Sequence, residues 1–141
     1  MSNRGILHKV MLFVILILGF GLALTLPAFK RHQDERHARE ALHIAQQLVL
    51  SEQDFYASHG FYTADFTQFP VSKMCHESIK DEHSVLACAG YDIGLEEADT
   101  LLATNTKYPQ WFRVALGNGK LSCEYENDDL VGRQLCRAVH L

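Results

Sequence analysis

VMLFVILILGFGLALTLPAF, residues Val10 to Phe29, carries no charged side chain and only Thr25 as a polar one. About twenty apolar residues at roughly 1.5 Å each span a ~30 Å hydrocarbon layer as a helix. The core helix of a small soluble domain needs no such length, so the stretch is read as membrane-spanning. It ends in LPAFKRHQ, without the small-residue cleavage site of a secretory signal, and is expected to be retained as an anchor. KRHQDERHARE follows with neither Gly nor Pro, so the helix is expected to run on into water. Pro27 removes a backbone donor within it and is expected to mark a kink.

Beyond the membrane stretch, Ala38, Ala41, Leu42, Ala45, Leu48, Val49, Phe55 and Tyr56 recur at steps of three and four between Lys30 and Ser58. That spacing makes one apolar stripe on a helix, and the stripe needs a partner. Gly60 is a candidate left-handed cap. The partner has to come from the remaining residues. Phe61 to Val71 is expected to form an ordered loop packed by its own rings, 75–88 a short helix or loop, Ala87 to Leu95 a strand and Glu96 to Ala103 a helical turn. Gln110 to Leu116 and Lys120 to Tyr125, separated by Gly117-Asn118-Gly119, predict a β-hairpin. Trp111 is the expected core anchor, alternating with Phe112 across the strand, and Tyr108-Pro109 suggests that this strand starts at a sheet edge. The fold class is therefore α+β, a long N-terminal helix packed on a small antiparallel sheet.

With 141 residues, there is material for one small domain beyond the anchor. A net charge of −4 and no Lys/Arg-rich face give no reason to expect a nucleic-acid partner. Cys75, Cys88, Cys123 and Cys136 all lie past the membrane stretch, and an even count in a short exported head argues for two disulfides in an oxidising compartment. Arg4 and Lys9 precede the apolar run while Lys30, Arg31, Arg36 and Arg39 follow it, so positive-inside counting leans toward the opposite orientation. The cysteines decide for a cytoplasmic N-terminus and a periplasmic head.

Catalytic motifs are missing from the sequence: no C-x-x-C, G-x-S-x-G, H-E-x-x-H or Gly-rich phosphate loop occurs. Neither an enzyme nor a cofactor is expected. His32, His37 and His43 follow one another at steps of five and six, which do not align ligands on a helical face. The oxygen-rich run Glu124, Glu126, Asn127, Asp128 and Asp129 is of the kind Ca²⁺ favours, with Glu126, Asp128 and Asp129 as the weak candidate ligands. A solvated turn is the favoured reading of that run.

The layout resembles that of type IV pilins and type II secretion pseudopilins. These begin with a short basic leader ending in glycine, followed by an apolar helix with a proline twenty-two residues after that glycine. Here Gly5 precedes Ile6 and Pro27 occupies the matching position; LPAF resembles the family's LPAY, and EQDFYASHGFYTADF is similar to the end of the pilin helix and the start of its loop. The likeness extends over the whole chain in layout and over residues 5 to 70 in motif. It implies cleavage by a prepilin peptidase between Gly5 and Ile6. The resulting layout is a leader over 1–5, a membrane half of the helix over 6–29, an amphipathic half over 30–59 and a disulfide-bonded head over 60–141. Partners implied are other pilin-like subunits and an inner-membrane assembly platform. Four cysteines permit three connectivities. Short loop closure, together with the C-terminal disulfide loop of pilins, points to Cys75–Cys88 and Cys123–Cys136, each contributing about 3 kcal/mol.

The chain departs from the family pattern at Ile6, where Phe or Met is usual, at His8 and Lys9, where the family is apolar or hydroxylated, and at Val10, where a glutamate is usual. Val10 cannot pair with the N-terminal amine of a neighbouring subunit, so the resemblance is to a minor member. The alternative is a single-pass anchor tethering a periplasmic binding or scaffold module outside any filament.

Overall fold

A computed structural model describes residues 3–80 and 83–139. The chain divides into two compact units, 1–34 and 35–141. One helix, α1 (Asn3–His59), supplies nearly all of the first unit and the opening of the second. In the first unit α1 passes through Pro27 without leaving the helical state. Thr25 Oγ1 donates to the carbonyls of Gly21 (3.1 Å) and Leu22 (3.2 Å), so its hydroxyl is satisfied within the helix.

In the second unit α1 packs on a six-stranded antiparallel sheet whose spatial order follows the chain: β1 (His76–Lys80), β2 (His83–Cys88), β3 (Tyr91–Glu97), β4 (Thr100–Asn105), β5 (Gln110–Ala115) and β6 (Leu121–Tyr125). Consecutive hairpins join all six. Strand alternation sends Leu86, Cys88, Tyr91, Ile93, Leu101, Ala103, Phe112 and Val114 to one face, where they form a core with Ala38, Ala41, Leu42, Ile44, Ala45, Leu48 and Val49 of α1. The stripe is thus buried from Ala38 to Val49, and it also includes Ile44; Phe55 is half-buried and Tyr56 is exposed. Gly60, at φ +80, ends the helix, its N–H donating to the Tyr56 carbonyl at 2.8 Å.

The loop after Gly60 is ordered by its rings, as its aromatic content predicts. Phe66 and Phe69 are buried, and Phe55 meets Phe61 and Phe69 edge to face. Two short 3₁₀ turns, Phe66–Gln68 and Pro70–Met74, complete it.

Five local expectations fail for identifiable reasons. The single strand expected over 87–95 is broken by Ala89-Gly90, both at positive φ (51° and 79°), which forms the two-residue turn of the β2–β3 hairpin. The segment 75–88 is not a helix or loop but the β1–β2 hairpin, with Asp81 and Glu82 outside the described residues. The helical turn expected at Glu96 to Ala103 is the end of β3, a turn and the start of β4: helix-favouring residues yield because Leu101 and Ala103 alternate into the core. Phe112, not Trp111, is the core anchor. Phe112 is fully buried and stacks on Tyr91 at 5.5 Å, while Trp111 lies half-buried on the opposite face. Pro109 does not mark an edge strand either, because β5 lies between β4 and β6. Its missing donor falls just before the ladder begins, and its carbonyl accepts from Glu126 N at 3.0 Å.

The C-terminal part contains a helix that the sequence reading left out, α2 (Leu130–Ala138). Asp129 caps it by accepting from Gly132 N at 2.7 Å. Gly132 is required by contact: a Cβ there would sit 2.7 Å from Tyr125 Cβ. Arg39 Nε of α1 donates to the Ala138 carbonyl at 3.3 Å, at the end of α2. Two disulfides staple the unit, Cys75–Cys88 across the open end of the β1–β2 hairpin and Cys123–Cys136 between β6 and α2. This is the pairing expected from loop length.

Candidate functional site

Within the first unit, the surface that stands out is α1 itself. Every large apolar side chain from Ile6 to Phe29 is exposed, including Val10 at 55% and Phe20 at 67%. The helix is long and apolar enough to cross a membrane, and its most apolar stretch is nowhere buried. Removing each such side chain from water is worth about 1.5–3 kcal/mol. Summed along the segment, this favours a lipid or protein environment over water. Gly5 and Ile6 lie in the first turns of α1, both exposed, with nothing within 4 Å of a Cβ built on Gly5.

The acidic residues near the C-terminus are occupied individually. Glu124 accepts from Arg113 and from Trp111 Nε1 (3.0 Å), and Arg113 also grips Glu96 through Nε (2.7 Å) and Nη2 (2.8 Å). These hydrogen bonds from Arg113 hold the Glu96 and Glu124 carboxyls below their ordinary range and push the guanidinium up. Asp129 is spent on the α2 cap. Glu126 and Asp128 are exposed, with Asp128 at φ 72°. Among the described residues no three His, Cys, Asp or Glu side chains gather into a set that could hold a metal ion. Asp129 is thus the cap residue of α2, and Glu126 and Asp128 lie exposed in the segment before it.

A buried acid escaped the sequence reading. Glu52 is fully buried on α1, Oε2 accepting from Thr63 N at 2.9 Å while Oε1 has no partner. Burial pushes its carboxyl up, opposed by the Thr63 hydrogen bond. The available signal was spacing: Glu52 continues the stripe one turn beyond Leu48. Its hydrogen bond ties the loop after α1 to the helix, while Gln53 Nε2, donating to the Leu116 carbonyl at 2.8 Å, ties the helix to the end of β5.

On the sheet face away from α1, Lys80, Val85, Asp92, Gly94, Leu102 and Thr104, with Leu95 at the β3 bulge, line a shallow groove of about 240 Å³. An ion pair between Lys80 Nζ and Asp92 Oδ2 (2.9 Å) lies at this groove. The first unit thus offers an apolar helix surface, and the second a cross-linked head with a small groove. Comparison with protein-family models, with curated proteins and with solved structures finds no match to the chain.

Proposed function

We propose that the chain is a structural subunit of a filament of the type IV pilus or type II secretion class, and a minor one. The observation that carries this reading is the split use of a single helix. From Ala38 to Val49 α1 is core to the head, and from Ile6 to Phe29 its apolar side chains are bare. In a membrane the bare part packs against lipid; in a filament it packs against equivalent helices, held by close van der Waals contact. The positional likeness of Gly5, Ile6 and Pro27 to pilins supports the same reading. On this account the N-terminus is cytoplasmic, the head with its two disulfides is periplasmic, and the partners are other pilin-like subunits and an inner-membrane assembly platform.

Val10 sets the rank. A carboxylate buried in an apolar filament core needs a positive partner, and a subunit with valine there offers none to a neighbour's amine. Such a subunit fits a tip or a priming complex better than the repeating shaft. The groove at Lys80 and Asp92 favours a second reading, a membrane-tethered binding module. Mass spectrometry of the mature N-terminus in the native cell tests the first reading, which expects Ile6 as the first residue. An intact N-terminus through Gly5 would remove prepilin processing from the account.

A further inference from the structure

The charges flanking the apolar run are arranged asymmetrically along the chain. All 17 Asp and Glu residues lie from Asp34 onward, whereas residues 3–33 carry Arg4, Lys9, Lys30 and Arg31 and no acid. All four basic side chains are exposed on α1. Lys9 and Lys30 bracket the apolar run directly, and along a continuous helix they stand about 32 Å apart at 1.5 Å per residue. That matches the ~30 Å thickness of the hydrocarbon layer. Each ammonium thus falls at the depth of a phosphate ring, one per leaflet, with the lysine stem free to extend along the helix toward it.

We propose that the membrane half of α1 selects anionic phospholipids in both leaflets, with Lys9 engaging headgroups of one leaflet and Lys30 those of the other. This rests on the anchor part of the proposed function and adds the lipid class. With cations at both ends, the segment is built to meet two charged surfaces.

The test is reconstitution of the full chain into phosphatidylcholine vesicles containing trace spin-labelled phosphatidylglycerol or spin-labelled phosphatidylcholine, reading the motionally restricted fraction of each. The expected result is a preference for phosphatidylglycerol of about fivefold for each cation in contact with headgroups, reduced by high salt and reduced in both Lys9→Gln and Lys30→Gln. Lys73→Gln, an exposed change in the head, is expected to leave the preference unchanged. Equal association of the two lipids, or a preference that survives both anchor substitutions, overturns the proposal while leaving the anchor intact. A chain that alkaline carbonate strips from the vesicles overturns the anchor reading itself.

Discussion

Glu52 and Gly132 carry structural weight that no sequence motif discloses. Because burial raises the Glu52 carboxyl in the folded state, its protonated form is the one the fold accepts. The stability it contributes is complete at pH below the unfolded carboxylate value and is lost as pH rises through the higher folded value. Glu96 and Glu124 act in the opposite sense, their contribution being present above the usual carboxylate range and lost in acid. Their exposure to solvent keeps it small. Glu52→Gln is therefore expected to remove the part of the fall in Tm of the detergent-solubilised chain that accompanies rising pH from the usual carboxylate range through the raised Glu52 value; an unchanged slope there would show that the buried carboxyl does not titrate with folding. Gly132→Ala drives a methyl into Tyr125 Cβ and the Asp129 cap and is expected to cost about 1–3 kcal/mol in denaturant unfolding. Gly132 was not legible beforehand, and Glu52 only through its place one turn beyond Leu48 on the stripe. Glu52 looks like one more helix-surface acid until the loop at Thr63 closes over it, and the need for glycine at 132 arises from a contact between α2 and β6.

At the scale of elements, the long helix and the β5–β6 hairpin were legible because their signals are local: an unbroken apolar run, a stripe at helical spacing, and two strand-like runs about Gly117-Asn118-Gly119. The β1–β2 and β2–β3 hairpins were not, since Ala89-Gly90 is a less familiar turn pair than Asn-Gly and the β1 residues are exposed throughout. Such a strand has no alternating pattern to read; ladder hydrogen bonds to β2 and the Cys75–Cys88 bridge fix it instead. The short helix α2 was missed because nine residues with only Val131 and Leu135 as large inward apolar groups make a weak stripe. The stripe on α1 admits a direct check. Leu48 is fully buried and Gln47 is exposed, so Leu48→Ala is expected to cost about 2–5 kcal/mol and Gln47→Ala within about 0.5 kcal/mol. Equal shifts in melting temperature would mean that the wrong face of α1 had been assigned to the core.

For the whole molecule, what was legible of the candidate site is the apolar helix, which length and composition announce; the occupant of that surface is not written in composition, because lipid and neighbouring helices offer the same apolar contacts. The filament reading joins that surface to the likeness at Gly5, Ile6 and Pro27 and to the valine at position 10. On the same reasoning Val10→Glu is expected to raise incorporation into filaments, provided that the chain is cleaved after Gly5 so that carboxylate and amine can meet. The most direct test of the central claim is quantitative mass spectrometry of sheared, purified filaments from the native cell, set against the membrane fraction of the same cells. The account expects the chain in the filament fraction at a small fraction of the abundance of the major subunit. Its presence in the membrane together with its absence from the filaments would contradict the account and leave a tethered periplasmic module in its place.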